Sequence, residues 1–388
     1  MPVLLLLMVV AVAVAILVWW KLFRPAHRAP PPFPLPDETK PVSPPRRAPL
    51  PAAPKTTVSL SQSKISDGTA PQEPPELSVF HWMQSRHLAN TRRHALMAAI
   101  KGIPRPPVSL QRLLTPGFFT RASLPELSEL IMEEPLISAK VLAAVNAPFY
   151  GLHQSVSSIE PAVTLLGMDT IRSICLQYML AQAFKPELAS SQNSFDAIWR
   201  ASAIASELAI RLGKALNLPD QGAIATKVVL VFVGHLAAAS LMPHNAVNEW
   251  LVLDRLRRAQ LEQEVMGLPA GEIGSLLLRL WKLPSALVRD VRAISRMLVT
   301  PMDDVDPAHI PHLAVSYLCV RLGERLALGQ LRSLETYDTA ADISADTFYL
   351  QAYLDHPALI HLNDTLRSSE LRAAVQQMLG KRVLPPKN

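Results

Sequence analysis

The first twenty residues carry no Asp, Glu, Lys or Arg, and Val3 to Trp20 form an unbroken apolar run that closes on Trp19-Trp20 before Lys21. That absence excludes an ordinary surface helix, which needs a polar face, and predicts a single membrane anchor over residues 1–23. At about 1.5 Å per residue the 18-residue run spans roughly 27 Å, close to the hydrocarbon thickness, and paired tryptophans suit the interface. A cleaved signal peptide, the competing reading, wants a basic start, a shorter apolar core and a small-residue cleavage site. Met1-Pro2 supplies no side-chain charge.

Other scarcities narrow the choice. Cysteine occurs only at Cys175 and Cys319, each in an apolar helical stretch, which favours buried thiols over a disulfide-stapled exported fold; a bridge between the two stays open. Glycine is limited to 14 of 388 residues, and there is no phosphate-cradling Gly-rich loop, nucleophile elbow or Cys-x-x-Cys. Alternating strand patterns bounded by turn dipeptides are almost missing. The body therefore reads as all-α.

Charge is unevenly placed. The chain is +6 overall, yet residues 67–388 hold 30 basic and 30 acidic side chains, while residues 21–66 hold eight basic and two acidic ones. A balanced body has no overall field to attract phosphate backbones, so no nucleic-acid partner is expected. A basic strip beside an anchor suits anionic headgroups, at about 1 kcal/mol per close Lys or Arg. It also predicts the N-terminus outside and the body in the cytoplasm, at the inner membrane.

Proline is abundant where the charge is: 15 of the chain's 35 prolines lie between Pro25 and Pro75. Residues 24–76 are expected to form an extended, partly polyproline II linker, reaching at most about 150 Å at roughly 3 Å per residue. Beyond it, helices are predicted at 80–101, 109–114, 124–133, 136–146, 158–166, 170–183, 195–216, 219–241, 246–266, 270–281, 285–298, 307–328 and 357–379. Several begin at Ser, Thr or Asp, or carry an early Pro. The apolar run Val228 to Met242 contains Gly234 and His235 and is short for a second span; a buried core helix is expected. The polar stretch Thr336 to Thr347 is expected to be a connection.

One stretch is specific. It passes Ile103-Pro104-Arg105-Pro106-Pro107, Leu124-Pro125-Glu126-Leu127, Glu134-Pro135-Leu136 and Lys140 to Gly151, which ends Asn146-Ala147-Pro148-Phe149-Tyr150-Gly151, then Ser157-Ser158-Ile159, Ala162-Val163 and Leu165-Leu166-Gly167. Order and spacing resemble the HDOD domain of bacterial signalling proteins. Trp199-Arg200-Ala201-Ser202, Glu262 to Gly267, Ile273-Gly274 and Trp281-Lys282-Leu283-Pro284 extend the likeness. The resemblance implies an all-α HDOD-like domain over 103–298; the helical pattern of the flanking residues adds a lead-in at 77–102 and an extension at 299–388, which resembles no known family.

The same residues have plain structural roles. Asn146 can cap a helix end or bond to the turn, since Pro148 stops the helix. Gly151 and Gly167 suit positive φ. Trp199 and Trp281 fit a core, with an indole NH that needs a partner. A surface around Asn146, Phe149, Tyr150 and Gly151 is the candidate interaction face.

HDOD domains resemble HD-type metal-dependent phosphohydrolases, whose histidines and His-Asp pair hold divalent metal and activate water. No His-Asp dipeptide occurs among the 11 histidines, and where those relatives carry one this chain reads Gly234-His235-Leu236. Histidines expected after Gly267 and near Val291-Arg292-Ala293 are replaced. His309 and His312 follow Asp303, Asp304 and Asp306, a tolerable metal spacing that also fits a solvated acidic loop. His81, His87 and His94 are crowded by Arg86, Arg92 and Arg93. No catalytic residue, cofactor or metal ligand is therefore predicted. The apolar N-terminal run, the HDOD resemblance, which implies a bacterial regulatory role, and the missing metal ligands together predict a membrane-tethered, non-catalytic signalling or scaffold protein that binds a partner protein or a nucleotide second messenger. Two alternatives remain: a divergent metal phosphodiesterase using His235, and a structural envelope protein.

Overall fold

Long stretches of Leu, Ala and Val without strand alternation fold as helices, and no strand occurs among the described residues. The computed structural model describes residues 72–106, 123–132, 135–147, 152, 154–184 and 189–380. The predicted anchor (1–23), nearly all of the linker, the helix expected at 109–114, and Phe149, Tyr150 and Gly151 lie outside them.

After a single helical turn at Pro75–Ser78 come α1 (Asn90–Lys101), α2 (Leu124–Met132), α3 (Pro135–Val145), α4 (Ile159–Leu166), α5 (Met168–Ala183), α6 (Ala189–Ala215) and α7 (Gln221–Leu241). Then follow α8 (Val247–Val252), α9 (Arg255–Met266), α10 (Ala270–Leu280), α11 (Ser285–Arg296), α12 (Ile310–Ala327), α13 (Phe348–Leu354), α14 (Leu362–Arg367) and α15 (Ser369–Gly380). Three expected helices are shortened or split. The one over 80–101 starts only at Asn90, after a short 3-10 turn at Ser85–His87. The one over 246–266 breaks before Asp254, whose side chain caps α9 by accepting from the Arg257 N–H at 2.9 Å. The one over 357–379 is divided near Ser368.

Helix α7 is apolar on every side, so it can only be stable inside a core. Almost all of it is buried, from Gly222 to Leu241. It is the one described helix long and apolar enough to cross a membrane, and other helices enclose it. Helix α6 packs most extensively on α12, then on α7, while α10 crosses α7. The lead-in is bound to this body: Trp82 Nε1 donates to Glu272 Oε1 at 2.8 Å, and Arg92 Nη2 donates to the carbonyls of Glu264 (2.6 Å) and Val265 (3.2 Å).

Cys175 and Cys319 are both buried free thiols, which closes the disulfide alternative. Burial pushes the Cys175 thiol up to about 12, so neither a thiolate nor oxidation is favoured there. Gly167 has φ +78°, as expected for the junction between α4 and α5.

Candidate functional site

The centre that matters most surrounds His235, and three glycines build it. A Cβ at Gly234 would lie 2.3 Å from Ala270 O, and one at Gly274 would lie 2.8 Å from Gly234 Cα, so α7 and α10 cross with their backbones in contact. On the other side a Cβ at Gly323 would lie 2.6 Å from Ala201 O and 2.7 Å from the Ala205 Cβ, drawing α12 against α6. His235 directly follows Gly234, and Glu324 directly follows Gly323. Close helix approach therefore fixes both side chains, whose Nδ1 and Oε1 atoms stand 3.2 Å apart.

Helix α9 adds charge from an unusual direction. Arg255, Arg258 and Glu262 stand at i, i+3 and i+7, on one face, and all three are buried. Arg258 Nη2 lies 2.6 Å from Glu324 Oε2. Glu262 accepts from Trp250 Nε1 at 2.8 Å and from the Ala270 N–H at 2.6 Å, tying α8 and the start of α10 together. Arg255 stacks 4.4 Å above the Tyr317 ring, and the Tyr317 hydroxyl donates to Asp346 O at 2.6 Å. Farther along α12, Arg321 Nε lies 3.0 Å from Asp346 Oδ2 and its Nη1 meets Asp342, which Arg325 also contacts at 2.6 Å. These contacts order the polar stretch 336–347.

The charge states follow from burial and neighbours. Burial pushes the His235 imidazole from its ordinary 6.5 down to about 3; Glu324 opposes this, and Arg258 and Arg255 add to it. The ring is therefore neutral at pH 7. Burial alone would raise the Glu324 carboxyl, but Arg258 and then Arg255 outweigh it and hold it below the usual carboxylate range. Glu262 is pushed up to about 7 by burial, against its bonds from Ala270 and Trp250 and the pull of Arg258.

A divalent metal does not fit these residues. The single carboxylate near His235 already holds a guanidinium, a second guanidinium stands beside it, and no third anionic or imidazole ligand converges. Among the described residues no group of three or more His, Cys, Asp or Glu side chains could hold a metal ion. Glu324 Oε1 and Arg255 Nη1 have no hydrogen-bond partner among them. The other histidines stay apart: His309 sits 3.7 Å from Asp306 on the surface, while His312 Nε2 contacts Pro219 O at 2.9 Å.

Asn146 proves to be a stitch. Its Nδ2 donates to Leu142 O (2.8 Å) and Val156 O (2.7 Å), and its Oδ1 accepts from the Val156 N–H at 2.7 Å, so it closes the end of α3 onto the following segment. Trp199 and Trp281 are buried as expected, but Trp281 Nε1 finds no partner among the described residues. The sequence reading missed Arg258, Glu324 and Glu262. Glu324 and Arg258 come from helices far apart in the chain; Glu324 leaves a local sign, a carboxylate inside the largely apolar α12, whereas Arg258 and Glu262 sit in a helix crowded with charge.

The sequence model of the HDOD domain matches residues 103–297. No curated protein matches the chain. An HDOD domain protein of unknown function from Geobacter sulfurreducens is similar in structure, with a TM-score of 0.51 at 18% identity, over 74% of this chain and 97% of that one. A candidate phosphohydrolase from Shewanella amazonensis SB2B gives 0.46 at 21% identity, over 74% of this chain and 98% of that one. At such identities the likeness concerns the fold alone.

Proposed function

From the premise that this chain belongs to the HDOD domain family over residues 103–297, we propose that it is a membrane-tethered, non-catalytic signalling or scaffold protein. It binds a partner protein at the cytoplasmic face of the inner membrane. The observation that carries the non-catalytic part is the Arg258–Glu324 pair at 2.6 Å, which occupies the carboxylate that a His235-based metal site would need. The uncharged run Val3 to Trp20 and the basic, proline-rich segment behind it support the tether. The face around Asn146, Phe149, Tyr150 and Gly151 is the candidate partner surface; of these residues Asn146 is bonded to Val156.

Two assays on the full chain test this reading. Purified protein offered phosphodiester and phosphomonoester substrates with Mn(II) is expected to give no turnover above background; turnover abolished by His235→Ala would establish the metal enzyme instead. Deleting residues 1–23 is expected to move the protein from the membrane to the soluble fraction. Retention at the membrane would remove the tether.

A further inference from the structure

Helix α11 carries Arg289, Arg292 and Arg296 at i, i+3 and i+7, so one face is a row of guanidinium groups opposite the buried Val288, Val291 and Ile294. An amphipathic helix ordinarily turns such a row to open water. Here the row walls an open, solvent-facing pocket of about 380 Å³, whose other lining comes from the Val299–Val305 segment, from Leu313 of α12 and from Tyr353 of α13. Arg292 is shared with an adjoining recess of about 200 Å³ that adds Arg86 and Arg279.

The charge of this place is unbalanced. Five arginines face two carboxylates, Glu272 and Asp304. Glu272 already accepts from Arg292 Nε and from Trp82 Nε1, both at 2.8 Å. Arg289, Arg296 and Arg279 form no ion pair among the described residues, and Arg296 Nε is buried without a hydrogen-bond partner. Burial, Arg292 and Arg86 push the Arg296 guanidinium below its ordinary range, with Glu272 opposing them, which is the mark of a positive cluster short of its counter-charge.

We propose that this cavity binds a phosphate-bearing small molecule of nucleotide size. Guanidinium forks match phosphate oxygens in a bidentate manner, so Arg289 and Arg296 would take the phosphate while Arg292 stays anchored on Glu272. The side chains of Val299, Val305 and Leu313 offer an apolar wall for the rest of the ligand. The volume falls inside the usual range of small-molecule sites, about 300–1,000 Å³. Asp304, on the same wall, selects against a bare polyanion and favours a ligand with a donor beside its phosphate. This site shares no lining residue with the His235 centre, so it holds or fails independently of that centre.

The test is calorimetric titration of the full chain in a neutral detergent, with ADP as the probe and inorganic pyrophosphate as the phosphate-only probe. Saturable one-site binding of ADP is expected, with pyrophosphate weaker, and a loss of at least tenfold in Arg296→Gln and in Arg289→Gln. Arg289 is exposed, so its substitution keeps the test valid if Arg296→Gln does not fold. Lys214→Gln, on the exposed end of α6, is expected to bind as the parent does. No saturable binding at millimolar ADP, or equal weakening by Lys214→Gln, would overturn the proposal. Displacement of ADP by phosphatidylglycerol vesicles would assign the phosphate to a lipid headgroup and overturn the soluble ligand.

Discussion

The His235 centre and the arginine row of α11 are both rich in guanidinium groups, yet they are opposite in kind. Around His235 two arginines are buried, and one is spent on Glu324 at 2.6 Å while the other stacks on Tyr317. Along α11 the arginines line a cavity and only Arg292 is spent. A buried charge that is already paired fixes helices to one another; a charge held at a cavity wall without a partner is available to a ligand. The number of unspent charges, not the number of charged residues, separates a structural cluster from a binding one.

The most severe way to break the contrast is Glu324→Ala. It leaves Arg258 and Arg255 buried without their carboxylate and is expected to cost about 3–5 kcal/mol, read as a lower denaturation midpoint. A cost below about 1 kcal/mol would mean that the pair is solvated. Next comes Gly323→Ala, whose methyl meets Ala201 O at 2.6 Å and the Ala205 Cβ at 2.7 Å; about 1–3 kcal/mol is expected, with α12 pushed off α6.

A subtler probe uses pH. His235 has a folded value of about 3 against an ordinary 6.5, so below pH 6.5 the unfolded chain takes up a proton that the folded one refuses. Stability from this group is complete above pH 6.5 and is lost as pH falls towards 3, with a slope of at most about 1.4 kcal/mol per pH unit. Glu262, with its folded value near 7 against an ordinary 4.5, acts in the opposite direction between those values, so the wild-type curve does not report His235 by itself. His235→Leu isolates the imidazole: thermal melts are expected to show the variant gaining on the parent as pH drops below 6. Parallel curves would place a charged His235 in the folded protein. The smallest effect belongs to the other region. Arg289→Gln is expected to leave stability within about 0.5 kcal/mol, since no partner is lost.

The sequence made the helical class, the buried status of α7, the positive φ of Gly167 and the structural use of Asn146 legible, because each is written in local pattern. Helix breaks were harder. Periodicity runs straight through Leu253-Asp254, and only the capping carboxylate of Asp254 decides that a new helix begins there. The His235 centre was half visible: the lone histidine stood out, but its partners lie on α9 and α12. The inward aim of Arg255, Arg258 and Glu262 contradicts the usual rule that charged positions on a helix face water. The arginine row was hidden for the converse reason, since i, i+3, i+7 charges on an amphipathic helix read as an ordinary solvated face until a wall appears opposite them.

The central claim is that a guanidinium stands where a metal-binding site would need a free carboxylate. Equilibrium dialysis of the full chain against Mn(II), with metal quantified per chain, tests it most directly. Well under one equivalent, unchanged in His235→Ala, is the predicted result. One or more equivalents in the parent, lost in His235→Ala, would contradict the account and restore a metal-dependent enzyme.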